Sequence, residues 1–134
     1  MNTIATVTTT GGDEINETDR LIASDKVEGT AVYNRQEERL GTVHNFMVDK
    51  VTGQVAYAVM SFGGFLGMGQ SYHPMPWKVL DYDTRLGGYV VDLDRDKLEK
   101  APSYIASDMP NWSDRTYGNQ IDKYYGNPAY WGLI

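Results

Sequence analysis

A chain of 134 residues is one domain's length, and its 41% apolar content can close a modest core, which a disordered polymer could not do. The absence of cysteine excludes disulfide scaffolds, thiol catalysis, iron–sulfur clusters and cysteine zinc sites. A net charge of −6 without any Lys/Arg cluster argues against phosphate-driven binding of nucleic acid and against docking on an anionic membrane.

Met1–Arg20 is rich in Thr, Gly and acids, with only Ile4, Val7 and Ile15 as large apolar residues. Such a segment buries too little to offset its ordering entropy, so residues 1–20 are expected to form a disordered acidic tail. It has no basic-then-apolar leader pattern, and the longest apolar run in the chain, Val55–Met60, is far short of the ~20 residues a membrane helix needs. A cytoplasmic protein without direct membrane insertion is the expectation.

From Leu21 the pattern is short strands separated by turn residues. Glu28–Tyr33 reads as a first strand and Asn34–Arg39 as a polar turn. Leu40–Val48 reads as a second strand, with His44, Phe46 and Val48 on one face and Gly41 marking a bulge or a close backbone approach. Asp49–Gly53 is a hairpin turn. Gln54–Phe62, apolar in succession over Val55–Met60, reads as a strand buried on both faces. Gly63–Gly69 is a glycine-rich loop. Pro74 and Pro76 keep Gln70–Pro76 extended, and Trp77–Tyr82 continues it. Thr84–Gly88 is a turn and Tyr89–Leu93 a last strand. Asp94 caps one or two helical turns that pack only Leu98 and stop at Pro102. Ser113 or Asp114 caps a further short helix reaching about Tyr125, and Tyr124–Ile134 is dense in aromatics.

Five or six short strands with glycine turns and one small helix point to a small β-barrel. Residues Leu21–Pro102 resemble a PRC-barrel domain through an ordered set of motifs. These are Val27-Glu28-Gly29-Thr30-Ala31-Val32-Tyr33, Glu38-Arg39-Leu40-Gly41-Thr42-Val43, Val48-Asp49 with Thr52-Gly53, Gly63-Gly64-Phe65-Leu66-Gly67, Met75-Pro76-Trp77, and Lys97-Leu98 through Ala101-Pro102. The end of the chain is similar to that of some stand-alone bacterial members. The family takes its name from the cytoplasmic domain of the photosynthetic reaction-centre H subunit and also forms a domain of a ribosome maturation factor. The resemblance implies an all-β barrel and an interaction role without catalysis. The chain shows neither the H subunit's membrane helix nor the maturation factor's other domain, so neither specific function carries over.

The chemistry-bearing residues do not assemble into a site by spacing. Gly63–Gly69 lacks the Gly-Lys-Ser/Thr end of a P-loop. His44 and His73, the only histidines, show no metal-ligand spacing. Asp81, Asp83, Asp92, Asp94 and Asp96 do not form a calcium loop, and Ser71, His73 and Asp81 lack a nucleophile elbow. No catalytic, cofactor or metal residues are therefore assigned.

The expected organisation is a tail (1–20), an all-β PRC-like barrel of five to six strands with a short helix after the last (21–102), and a C-terminal aromatic arm (103–134) packing on the barrel or a partner. The expected function is a protein-interaction or assembly module that self-associates as a homodimer. Its candidate interface is Phe65, Leu66 and Met68 on the glycine loop with Trp112, Tyr124, Tyr125, Tyr130 and Trp131 on the arm. The alternative is a small-ligand binder with a barrel-end pocket near Tyr57, His73 and Trp77.

Overall fold

The computed structural model of the protein describes residues 20–63 and 70–126. In chain order these hold α1 (Ser24–Val27), β1 (Ala31–Tyr33), β2 (Arg39–Val48), β3 (Val55–Phe62), β4 (Ser71–Pro76), a 3-10 turn (Trp77–Val79), β5 (Asp81–Asp83), β6 (Gly88–Val90), α2 (Arg95–Glu99) and α3 (Arg115–Tyr125). The six strands form one sheet in the order β4-β3-β2-β1-β6-β5, antiparallel throughout except for the β1–β6 pair.

The two clearest hairpin turns share one local solution. Asp49 Oδ1 accepts from the Val51 and Thr52 amides, and Asp83 Oδ1 accepts from those of Arg85 and Leu86. Four residues on, Gly53 and Gly87 adopt positive φ and donate to the carbonyl of the same aspartate. Aspartate and glycine at these spacings satisfy the turn's backbone groups without distant help, which is why both turns are legible in the sequence.

β2 does not keep strict alternation. Its pairing shifts register at three points, leaving Leu40, His44 and, on β3, Ala56 as extra residues. The bulge at His44 turns that ring outward while Val43 and Phe46 both reach the core, so His44, Phe46 and Val48 do not share a face as strict alternation predicts. Gly41 sits beside the Leu40 bulge where β2 presses on β3. A Cβ there would lie 2.0 Å from the Ser61 carbonyl oxygen.

The first strand is shorter than predicted, because Ser24–Val27 takes a helical turn that buries Val27 before Gly29 redirects the chain. β3 is buried from Tyr57 to Ser61 without a break, as its apolar run requires. Asp94 caps α2 by accepting from the Lys97 amide, and Leu98 is fully buried. Asp114 caps α3, and Gly126 closes it in the left-handed region at φ 69°.

The sheet is open: β4 and β5 are its edges and no ladder joins them, in contrast to the closed barrel the strand count implied. It is nevertheless strongly curled. A flat sheet of this order would part its edges by about 24 Å, whereas the chain from Pro76 to Asp81 can reach no more than about 18 Å. Trp77 fills the concave side, with its ring 6.3 Å from Phe46 and 5.6 Å from Tyr89. The short reach is met by the 3-10 turn at Trp77–Val79, closed by the Leu80 amide on the Trp77 carbonyl, where continued extended chain was predicted. Val32, Val43, Met60, Met75 and Leu98 form the centre of the concave core.

Candidate interaction surface

The convex face of β3 and β4 is covered by the chain's own C-terminal part. α3 turns Tyr117, Gly118, Ile121, Asp122 and Tyr125 inward at helical spacing, with Ile121 fully buried and Asp122 the one charged residue type among them. Tyr57 Oη donates to Asp122 Oδ2 at 3.1 Å. Trp112 lies 6.0 Å from Tyr57, 6.4 Å from Tyr104 and 5.3 Å from Tyr117. Burial pushes the Tyr117 phenol up to about 12, with Tyr104 adding to the shift, so it stays neutral. Tyr125 packs against the concave core, and its phenol is also raised by burial. Tyr124 Oη donates to the Lys97 carbonyl.

Three of the sequence-predicted interface residues, Trp112, Tyr124 and Tyr125, thus make contacts within the chain. Phe65, Leu66, Met68, Tyr130 and Trp131 lie outside the described residues. Ile105 and Met109, on the segment between α2 and α3, are 51% and 61% exposed.

Tyr57 and His73, expected to line one pocket with Trp77, do not share a face of the sheet. Tyr57 pairs with Pro76, and His73 lies three residues away on β4, so the two side chains point to opposite faces. His73 faces the concave side, 5.5 Å from Phe62, with Nε2 2.9 Å from the Ser71 hydroxyl. Its Nδ1 is buried without a hydrogen-bond partner among the described residues. Burial lowers its pKa from 6.5 to about 4, so the ring is neutral at pH 7. Among the described residues no group of three or more His, Cys, Asp or Glu is placed to hold a metal ion.

The two sheet edges differ in chemistry. The outward-facing backbone positions of β4 are Tyr72, Pro74 and Pro76. Tyr72 exchanges two hydrogen bonds with Tyr104, at 2.8 and 3.0 Å, and the prolines have no N–H to offer. That edge is closed to another strand.

The β5 edge is not covered in this way. The Val91 amide donates to the Tyr33 carbonyl, so positions 89 and 91 face β1 while Gly88 and Val90 face β5. Asp81 and Asp83 pair with Val90 and Gly88, which leaves the N–H and C=O of Tyr82 directed away from the sheet. The Tyr82 ring, 48% exposed, rests edge-on against Tyr89 at 5.3 Å.

Beside this edge lies an open polar groove of about 380 Å³ between the β1–β2 turn and the β5–β6 hairpin. Arg35 is 3.6 Å from Asp81, and Arg85 pairs with Glu37 and lies 3.8 Å from Asp83. Asn34 shapes the facing turn by accepting from the Gln36 and Glu38 amides. Glu37 takes a positive φ of 64° there. Sequence reasoning missed this groove because its residues come from two turns some 50 positions apart, and each turn alone reads as ordinary solvated charge.

A curled, open six-stranded sheet with a helix after its last strand defines the class of small β domains to which the chain belongs. Residues 19–98 match the PRC-barrel domain family, and the chain is a member of that family. No curated protein matches it. Among solved structures it is similar to a 16S ribosomal RNA processing protein, RimM, from Pseudomonas aeruginosa, at 20% identity and a TM-score of 0.38. The matched region covers 61% of this chain and half the length of that one. Among the described residues no helix is long and apolar enough to cross a membrane.

Proposed function

We propose that this PRC-barrel chain is a non-catalytic protein-interaction or assembly module acting in the cytoplasm. The observation that supports this reading best is the asymmetry of its sheet edges: one sealed by prolines and Tyr104, the other left, among the described residues, with unpaired backbone groups beside a charged groove. The family resemblance agrees with it. The test is to capture the tagged full-length chain under mild conditions and rebuild the complex from purified components. A stoichiometric complex by light scattering supports the reading. Failure of every captured protein to bind the purified chain, together with a monomeric chain, refutes it.

Self-association through Phe65, Leu66, Met68, Tyr130 and Trp131 belongs to the same proposal, with the exposed Ile105 and Met109 adding apolar surface. Light scattering on the full chain and on a Tyr130→Ser/Trp131→Ser double variant checks it. A dimer mass that falls to monomer in the variant is expected, and a wild-type monomer rules self-association out.

A further inference from the structure

We propose that the β5 edge is a strand-addition site for an extended segment of a protein partner carrying two basic residues at alternate positions, Lys/Arg-x-Lys/Arg. This rests on the interaction-module reading and specifies where and what the module binds.

Strand addition needs a backbone N–H and C=O pointing away from the sheet, and Tyr82 supplies both. The residue x would pair with Tyr82. Its two neighbours would then stand opposite Asp81 and Asp83, whose side chains share one face of the edge. Opposite-charge pairs at such positions stabilise and like charges destabilise, so the incoming segment needs cations there. The same rule excludes a second copy of this chain, because antiparallel β5–β5 pairing about Tyr82 would set Asp81 against Asp83. Parallel pairing would set each aspartate near its own kind.

Arg35 and Arg85 do not prevent this. The Arg35–Asp81 pair is 3.6 Å long with side chains 54% and 70% exposed, so water already competes for it. Arg85 is held mainly by Glu37 on the opposite wall of the groove. Released from Asp81, Arg35 stays in the groove, where a partner carboxylate or carbonyl beyond the basic pair can meet it. The edge is three residues long and offers a single outward-facing residue, so the contact is weak and depends on charge.

The probe is a short blocked peptide with a central Lys-Val-Lys, and the control replaces both lysines with glutamate. Binding to the full-length protein is followed by amide chemical shifts at low and high salt. The basic peptide should shift residues 80–84 and 88–90, weaken as salt rises, and outcompete the acidic control. Tyr82→Pro removes the ring together with an N–H that makes no ladder bond, and should weaken binding by about tenfold or more. Tyr82→Val keeps the N–H and should still bind. Asp81→Asn should weaken binding about twofold to fivefold. Equal binding by Tyr82→Pro, shifts confined to another surface, or equal affinity for the acidic peptide would overturn the proposal. So would no binding of the basic peptide, even where reconstitution has yielded a complex; in that case the module reading stands and this site falls. Unchanged shift dispersion in β1–β4 shows that each variant is folded.

Discussion

Replacing Gly41 with Ala places a methyl group where the Ser61 carbonyl oxygen lies 2.0 Å away, at least 1 Å inside any tolerated contact. The clashing atom is backbone, and it belongs to β3, which is paired on both sides by β2 and β4. No side-chain rotation relieves the contact. The strands must part, weakening the Gly41–Phe62 and Thr42–Ser61 pairings beside the Leu40 bulge. Overpacking of this kind costs about 3 kcal/mol, a large share of the roughly 5–15 kcal/mol by which such a domain is stable. For a chain of this size that corresponds to a fall in melting temperature of about 10 °C. Gly53→Ala is the matched control. Its Cβ meets nothing within 4 Å, but φ is +81°, so it pays only for left-handed backbone, about 1–2 kcal/mol. Thermal and urea melts of the two variants decide the matter. A Gly41→Ala protein that melts within 2 °C of wild type (about the resolution of such a melt), or that is more stable than Gly53→Ala, refutes the close-approach argument.

Two further predictions concern the interior. His73 has its pKa lowered to about 4 by burial, so between pH 6.5 and 4 the unfolded chain takes up a proton that the folded chain refuses. Stability should fall as pH drops through that window, by an amount of order 3 kcal/mol, and this share should level off below it. His73→Leu should remove that part of the wild-type profile in parallel urea melts, and a difference profile that stays flat from pH 7 to 4 counts against it. Ile121 is fully buried on α3, so Ile121→Ala should cost about 2–5 kcal/mol in a single cooperative transition. An early separate melting step, with the sheet unaffected, would show that α3 is only loosely attached.

The features legible in the sequence are those whose hydrogen bonds close within a few residues. The Asp49–Gly53 and Thr84–Gly88 turns, the Asp94 cap and Asp114, one of the two caps offered for α3, each satisfy local backbone groups, so residue type and spacing pointed to them. The unbroken burial of β3 was likewise readable, because a run of apolar residues has no solvent face to offer. The ordered motifs placed the chain in the right family.

Register was not readable. A strand's side-chain period of two says which residues share a face only until a bulge intervenes, and bulges such as the one at His44 are set by the partner strand. The same holds for the opposite faces of Tyr57 and His73, which a one-dimensional reading placed in one pocket. The candidate surface depends still more on distant pairing. Tyr82 is open because the parallel β1–β6 ladder dictates which way each β6 backbone group turns, and β5 inherits the remaining side. Pro74 and Pro76 seal β4 because Tyr104 fixes position 72, and with it 74 and 76, as outward-facing. The sequence alone therefore determined the turns, the caps, the buried strand and the family, all of which rest on contacts between near neighbours or on ordered motifs. Only the tertiary structure decided which edge is closed, which is open and which charges stand beside it, because those follow from strand pairings between residues far apart along the chain.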